Sequence, residues 1–367
     1  MVGRRLVVER RGTPSLRARI LFPLGSVLGA GIIGGLFLLA AGHDPLEAYR
    51  IVLQSGFGSD LTWVRTLISA TPLILTGIAV AVAFRMKIWN IGGEGQLLVG
   101  AIAASGMAIA LGDSVPSFLV ITASLAAGCI AGAFWASLAA FPRAYLHTDE
   151  VISTLMLNFV GLYLMNYLIF GSISPWRDRE ALSFPRGRLI PVGAELPQIW
   201  MRLSLGLPIA IAVALLLWWI LRSSRWGFEI RVIGDSPLTG RYAGMSVPRT
   251  IISVLLVSGG IAGLAGAILV TGSTHSLAPG SLAVGLGYTG IVVAAVSRFN
   301  PVAVIPVAVL VAGLSNAGSS LQVLGVPSEI VVLLQGLILL LVAAAEFLRD
   351  NRVRLVSRED ELETQAP

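Results

Sequence analysis

The sequence predicts an all-α integral membrane protein of about ten transmembrane helices, arranged as two inverted halves of five. Of its 367 residues, 55% are hydrophobic and only 13% are charged, whereas a soluble domain carries roughly 25% charged residues. The mean hydropathy is +0.84. Apolar runs of the length that crosses about 30 Å of hydrocarbon, about 20 residues each, recur along the whole chain. The lipid bilayer is therefore its predicted solvent.

The predicted spans follow one another with mostly short connections. Their bounds are 20–41, 66–84, 91–111, 116–140, 151–171, 203–221, 249–270, 284–297, 301–320 and 328–346. The first apolar stretch is longer than a signal-peptide core of about 7–15 residues, so we interpret it as an uncleaved span. A transmembrane domain is thus predicted at 20–346, between an arginine-rich N-terminus (1–19) and a C-terminal tail (347–367).

The placement of basic residues predicts the orientation. The net charge is +6, and the arginines stand singly or in small groups between apolar runs, which does not favour a nucleic-acid partner. An even number of spans puts both termini on one side. With the termini inside, 19 of the 26 basic residues fall on inner segments, as the positive-inside rule requires. We therefore predict a plasma-membrane protein with cytoplasmic N- and C-termini.

Two connections are long. The outer loop, 172–202, contains four prolines, so regular structure there is predicted to be short. The inner loop, 222–248, reads RSSRWGFEIRVIGDSPLTGRYAGMSVPR from residue 222 to 249 and is predicted to be turn-rich. It is long for a connector and carries aromatic residues among its charges. We interpret it as a docking surface for a cytoplasmic subunit, with an ordinary solvated loop as the alternative.

Glycine interrupts the third span of each predicted half. The third span begins WNIGGEGQ (89–96), and the eighth begins VGLGYTG (284–290) and is short. Halves with an odd number of spans are inverted in the membrane. Interrupted segments at matching places in two such halves indicate a binding site near the bilayer midplane.

Polar residues at the first interruption are candidates for that site. Glu94 is the acidic residue that stands well inside an apolar run, and Asn90 and Gln96 flank it. Ionisable groups in the bilayer usually face a cavity or a partner. Two interpretations stay open: a broken helix that presents polar groups to a substrate path, or a buried polar knot that fixes the second span against the third.

The fifth span carries a second polar group. Thr154 and Asn158 share one helix face by the 3.6-residue period. Asn158 lies roughly 11 Å along the helix from Val151, near the middle of the bilayer. An asparagine in a span either hydrogen-bonds a neighbouring helix or contacts the substrate, and both functions remain open here.

Several kinds of chemistry find no support in the sequence. GLGYTG (285–290) matches a dinucleotide fingerprint but lacks the required βαβ context. The only lysine, Lys87, is not in a phosphate-binding loop. His43, His147, His275 and the lone Cys129 form no metal-ligand spacing. We therefore predict a transport subunit rather than an enzyme, without its own ATPase site and without cofactor or metal.

Four stretches carry a resemblance to a known family. FRMKIWNIGGEGQLLVGAIAAS, DEVISTLMLNF, WGFEIRVIGDSPLTGRYAG and GLGYTGIVVAAVSRFNP resemble permease subunits of bacterial ABC importers of the branched-chain amino acid and ribose permease superfamily. The nucleoside (simple-sugar type) permeases are the most similar group. The resemblance runs from about residue 45 to 346.

The resemblance implies partners and residue roles. It implies a second permease subunit, usually a different chain, two cytoplasmic ATP-binding cassette subunits that bind the ATP, and an extracytoplasmic solute-binding protein. Coupling to the ATPase is expected in the inner loop. The coupling residues that we expect are Arg231, Gly234, Asp235, Pro237 and Arg241. By similarity, Asn90, Glu94 and Gln96 line or shape the path.

The expected activity is ATP-driven import by alternating access. A nucleoside, with a flat base and ribose hydroxyls, suits a lining of amide, hydroxyl and phenol groups. Tyr288 and Thr289 are the candidates that the second half contributes beside Thr154 and Asn158. The alternatives are an importer of simple sugars or amino acids, a proton-coupled secondary transporter that uses Glu94, or a membrane scaffold without transport.

Overall fold

The computed structural model describes residues 5–10, 16–171, 174–181, 186–322 and 329–356. The predicted C-terminal tail from 357 onward, and residues 1–4 and 11–15 of the predicted N-terminus, lie outside the described residues. The helices are α1 (Leu16–Ala40), α2 (Pro45–Phe57), α3 (Asp60–Phe84), α4 (Gly93–Leu111), α5 (Ser117–Phe141), α6 (Glu150–Phe170), α7 (Gly206–Ser223), α8 (Arg225–Asp235), α9 (Pro237–Tyr242), α10 (Val247–Leu269), α11 (Pro279–Leu282), α12 (Leu286–Val296), α13 (Pro301–Gln322) and α14 (Glu329–Asp350). The strands are β1 (Arg5–Arg10), β2 (Gln198–Trp200), β3 (Leu203–Ser204) and β4 (Asn351–Val356).

Eight helical segments in the described part of the chain are long and apolar enough to cross a membrane. They are Asp60–Phe84, Gly93–Leu111, Ser117–Leu146, Glu150–Phe170, Gly206–Ser223, Val247–Thr274, Pro279–Val296 and Pro301–Gln322. Shorter apolar stretches lie within α1, at Leu28–Ala40, and within α14, at Val332–Val342. The all-α membrane class is confirmed. The count of about ten spans and the two inverted halves stay predictions.

The chain divides into two compact units, of which the first holds residues 1–49 and 326–367. Here α1 packs against α14, and β1 pairs with β4 in an antiparallel register from Arg5↔Val356 to Arg10↔Asn351. No pattern in the sequence indicates this pairing, because strand partners at opposite ends of a chain leave no local signal.

The second unit, residues 50–325, has its core where α10 packs against α3, α4 and α5. Small residues at the contacts let the backbones touch. A β-carbon on Gly263 of α10 would overlap the carbonyl oxygen of Gly128 and lie 2.8 Å from the α-carbon of Gly132, both on α5. Close packing of this kind replaces the hydrophobic driving force that helices lack inside lipid.

The loop 222–248 is more regular than the sequence predicts, because it holds the two helices α8 and α9. A serine caps each of them. Ser224 Oγ accepts a hydrogen bond from the N–H of Gly227 (3.1 Å), and Ser236 Oγ accepts one from the N–H of Thr239 (3.3 Å). The prediction of a turn-rich loop was wrong, since these serines, with Pro237 at the first position of α9, begin helices.

Three contacts define one end of the second unit, which we call the coupling end. Phe84, the last residue of α3, stacks on Phe299 just beyond α12, with ring centroids 3.8 Å apart. A β-carbon on Gly234 of α8 would lie 2.6 Å from the carbonyl oxygen of Arg85. The start of α6 is here too, since a carboxylate oxygen of Glu150 lies 3.5 Å from the backbone nitrogen of Trp89. The ends of α3 and α12, the start of α6 and α8 therefore lie together.

Candidate functional site

The two glycine-interrupted spans meet at their first turns. Beyond α3 the chain runs without regular structure until α4 begins at Gly93. At this point α4 approaches the first turn of α12 so closely that a β-carbon on Gly287 would overlap the backbone nitrogen of Glu94. Only glycine permits this approach. The two interruptions that the sequence identifies separately therefore form one junction.

The Glu94 side chain closes this junction. Its Oε1 accepts a hydrogen bond from the N–H of Gly285 (2.9 Å) and its Oε2 accepts one from the N–H of Gly287 (2.6 Å). The side chain is buried. The N-terminal turn of a helix carries unpaired N–H groups and a partial positive charge. The negative charge of this one carboxylate therefore stabilises the first turns of both α4 and α12.

An amide pair fixes the chain just before α4. Asn90 and Gln96 exchange two hydrogen bonds of 3.0 Å each through their side chains. Asn90 also donates to Ser258 Oγ on α10 (2.8 Å), and Ser258 in turn donates to the carbonyl oxygen of Ala79 on α3 (2.7 Å). Buried polar groups are stable only when they are paired in this way. These hydrogen bonds match the second interpretation of the sequence, a buried polar cluster that fixes neighbouring spans against each other.

Residues of α6 form hydrogen bonds with the other side of the interruption that precedes α4. Asn158 Oδ1 accepts from the N–H of Gly95 (2.8 Å), and Asn158 Nδ2 donates to the carbonyl oxygen of Ile91 (2.8 Å) and to the hydroxyl of Tyr288 (3.1 Å). Thr154 Oγ1 accepts from the N–H of Ile91 (3.3 Å). The α6 face predicted from helical spacing thus contacts both interrupted spans.

The structure brings six of the seven predicted path residues into one network. Five of them, Asn90, Glu94, Gln96, Thr154 and Asn158, are buried. Tyr288 is 38% exposed, so it joins this network to an open surface. Thr289 is half-buried on α12, and its backbone N–H bonds the carbonyl oxygen of Gly285 (2.9 Å).

Glu150 is a buried acid that the sequence analysis missed. Its Oε2 lies 3.0 Å from Arg143 Nε, and only 8% of the residue is exposed. The signal was hidden because Asp149 and Glu150 together have the composition of a helix start. Asp149 is indeed the cap, since its carboxylate accepts from the N–H groups of Val151 and Ile152.

The helix α8 is firmly joined to the spans. Trp226 Nε1 donates to Ser253 Oγ on α10 (2.9 Å), and Arg231 donates to the carbonyl oxygen of Leu221 at the end of α7. Burial lowers the pKa of the Arg85 guanidinium, and the positive charge of Arg231 lowers that pKa further. A movement of α8 would therefore be transmitted directly to α3, α7 and α10.

Of the remaining predicted coupling residues, Gly234 is buried against the backbone of Arg85, whereas the other three face outward. Asp235 forms an ion pair with Lys87 (3.3 Å) in which both side chains are mostly exposed, so this pair adds little to stability. Pro237 and Arg241 of α9 are exposed as well. Tyr242 of α9 is 86% exposed. Large apolar or aromatic side chains that are exposed among charged residues are typical of a protein contact surface.

A cleft of about 990 Å³ lies at the opposite end of the second unit. Arg65 of α3, Arg202 beside β3 and His275 just beyond α10 line it, together with Gln198 and Ser273. Its volume suits a small molecule. The sequence analysis did not find this cleft, because its residues come from three separate segments of the chain.

Comparisons with known proteins agree with these features. The family model described as branched-chain amino acid transport system / permease component matches residues 62–343. A guanosine ABC transporter permease of Bacillus subtilis is 33% identical, and the alignment covers 90% of this chain and 95% of that protein. A glucose ABC transporter permease of Haloferax volcanii is also 33% identical, over 90% and 89%. A nucleoside ABC transporter permease of Lactococcus lactis is 30% identical, over 89% and 91%.

These relatives are membrane transport components, and they match this chain over nearly its whole length. These matches confirm the family resemblance that the sequence motifs indicate. They also confirm that the chain is a multi-pass membrane protein. The chain belongs to the family of branched-chain amino acid transport system permease components.

Proposed function

We propose that this chain is the membrane-spanning subunit of an ABC importer for nucleosides. The observation that carries the proposal is the polar junction between two interrupted spans, in a chain whose relatives are ABC permeases. Such a junction near the midplane is where transporters bind their solute. The names of two relatives, guanosine and nucleoside permease, support the solute.

The proposed mechanism is alternating access. An extracytoplasmic solute-binding protein delivers the nucleoside to the end that carries the cleft. The importer has two ATP-binding cassette subunits, and α8 and α9 form the surface of this chain that contacts the ATPase. This coupling end faces the cytoplasm of a bacterium, as do both termini. ATP is bound by those partners and not by this chain. A second permease subunit completes the core.

The residues of the network have distinct proposed roles. Asn90, Glu94, Gln96 and Thr154 shape the path by holding the breaks in place, since their polar groups are engaged within the chain. Tyr288, with Asn158 behind it and Thr289 beside it, lines the path. A tyrosine ring suits the flat face of a nucleobase or the apolar face of a sugar.

The test is uptake by the reconstituted complex. This chain is purified with its ATPase, second permease and binding-protein partners, and ATP-dependent uptake of a nucleoside panel is measured in proteoliposomes. We expect uptake that stops when the ATPase subunits are left out. Uptake that follows an imposed proton gradient without the ATPase would overturn the proposal and favour the proton-coupled alternative.

A simple sugar is the second candidate solute, because the glucose permease relative is as similar as the guanosine permease. The same assay separates the two candidates when glucose, fructose and ribose are added to the panel. Uptake of sugars alone, or of branched-chain amino acids alone, would keep the ABC importer and discard the nucleoside.

Charge reversal in α8 tests the coupling surface. We expect Asp235→Arg to lower uptake about tenfold, the effect of roughly 1.4 kcal/mol in docking, while the complex stays assembled and still hydrolyses ATP. The reason is that Asp235 is exposed and its ion pair with Lys87 contributes little to folding. Uptake and hydrolysis are measured on the same proteoliposomes.

Lys87→Ala is the matched control for this variant. It breaks the same ion pair but leaves the carboxylate of Asp235 free for a partner. We expect Lys87→Ala to transport at a near-normal rate. If both variants lose uptake equally, the ion pair within the chain is what matters, and docking through Asp235 is ruled out.

A further inference from the structure

The candidate span Pro279–Val296 consists of two separate helices, α11 and α12, and α12 alone is too short to cross a membrane. Its 11 residues span about 16 Å at 1.5 Å per residue, whereas the hydrocarbon layer is about 30 Å thick. Its last turn is at the coupling end, where Phe299 stacks on Phe84. Its first residue, Leu286, therefore lies near the middle of the bilayer.

A second measure gives the same depth. Asn158 is eight residues along α6 from Glu150, or about 12 Å from the coupling end. Its Nδ2 lies 3.1 Å from the hydroxyl of Tyr288 in the first turn of α12. Both helices therefore place the start of α12 roughly halfway across the membrane.

The chain must then cross the other half of the bilayer before α12, and it does so largely without regular structure. Only the four-residue helix α11 lies between His275 and Gly285. Among the described residues, the backbone N–H of Val284 has no hydrogen-bond acceptor. The N–H of the next residue, Gly285, donates its hydrogen bond to the carboxylate of Glu94.

The same segment has an open side. Ser281 is exposed, Val284 is 56% exposed and Tyr288 is 38% exposed. Irregular backbone does not face lipid within the hydrocarbon layer, because an unpaired N–H or C=O there costs several kcal/mol. Such backbone occurs at membrane depth where it is covered by protein or lines a water-filled cavity.

We propose that the segment Pro279–Tyr288 is one wall of an aqueous path for the solute, with Ser281, Val284 and Tyr288 on the wetted side. This inference rests on the proposed function and extends its site from Tyr288 toward the other face of the membrane. Water in the path supplies the partner that the N–H of Val284 lacks.

The position of the segment supports a continuous route. It begins four residues after His275, which lines the cleft at the end opposite to the coupling end. It ends at Tyr288, whose hydroxyl Asn158 holds. A polar solute that enters from the cleft side would move along this segment toward the junction of α4 and α12 and would meet the ring of Tyr288 there.

Cysteine labelling of the complete transporter tests the wall. The chain has one native cysteine, Cys129, so Cys129→Ala gives a cysteine-free background. Ser281→Cys and Val284→Cys are each added to it, and the reconstituted complex is treated with a charged methanethiosulfonate that does not cross membranes. Such a reagent attacks the thiolate, and a thiol ionises in water but not in lipid.

The matched control is Ile130→Cys in the same background. Ile130 is 69% exposed near the middle of α5, a helix without interruption, and so has the exposure of a lipid-facing residue. We expect both wall cysteines to be labelled at least about tenfold faster than the control. Labelling at the rate of the control would show that lipid or protein covers the segment and would overturn the inference.

This result is independent of the proposed solute. Labelled wall cysteines in a complex that transports no nucleoside would keep the path and discard the nucleoside. Nucleoside uptake by a complex whose wall cysteines stay unlabelled would keep the importer and discard the wall.

Discussion

Glu94→Gln is expected to destabilise the transporter by about 2–3 kcal/mol and to abolish most of its uptake. The glutamate offers two acceptor oxygens to the N–H groups of Gly285 and Gly287. A glutamine offers one oxygen and one NH2 group, so one of the two buried donors would face another donor. A hydrogen bond to a charged group contributes about 1.5–3 kcal/mol, and an unsatisfied buried donor costs a similar amount.

Two consequences add to this loss. The negative charge that opposes the positive ends of α4 and α12 disappears, which costs about 0.3–1 kcal/mol more. The first turn of α12 also loses its anchor, so the hydroxyl of Tyr288 is no longer held beside Asn158 Nδ2. The thermal midpoint of the purified complex and ATP-dependent uptake are the two measurements.

Glu180→Gln is the matched control, because Glu180 is exposed in the loop at the opposite end. We expect it to leave both the thermal midpoint and the uptake unchanged. A Glu94→Gln complex with normal stability but without uptake would contradict the structural role and would favour Glu94 as a proton site. In the structure both carboxylate oxygens are engaged by backbone N–H groups, which supports the structural role.

The long apolar helices could be predicted because their signals are local. A run of about 20 apolar residues indicates a span whatever surrounds it. Each predicted span overlaps one observed helix, and the bounds differ by at most six residues. The predicted start at residue 91 and the observed start at Gly93 differ little. The strand pair β1–β4 could not be predicted, since its partners are separated by the whole chain.

The site was predicted as a set of residues but not as an arrangement. Asn90, Glu94 and Asn158 were identified because polar groups inside apolar runs are rare. Glu94 accepts hydrogen bonds from Gly285 and Gly287 only because α12 packs against α4. No spacing in the sequence predicts that packing. The ion pair of the buried Glu150 and the half-buried Arg143 was not predicted, because each residue stands at the end of a span, where charged residues are common.

Gly263→Leu is expected to prevent assembly of the core. Gly263 of α10 meets two helices at once. A β-carbon on it would overlap the carbonyl oxygen of Gly128 on α5, and a β-carbon on Gly100 of α4 would overlap the backbone of Gly263. A leucine cannot find room by rotating, because what surrounds it is backbone rather than flexible side chain.

The three helices would have to separate, which breaks the most extensive packing in the second unit. Overpacking by a few atoms costs about 1–3 kcal/mol, and a leucine at a backbone–backbone contact exceeds that range. We expect the chain to be degraded or to aggregate in detergent. The measurement is the yield of monodisperse complex by size-exclusion chromatography, together with its thermal midpoint.

Gly336→Leu is the matched control, since Gly336 of α14 is exposed and a β-carbon placed on it would meet no atom within 4 Å. It should fold and assemble in normal yield. Gly263→Ala provides the graded case, with a loss of about 1–3 kcal/mol. If Gly263→Leu gave normal yield and stability, α4, α5 and α10 could not be packed backbone to backbone. The junction of α4 with α12, which depends on that packing for its position, would then need a different explanation.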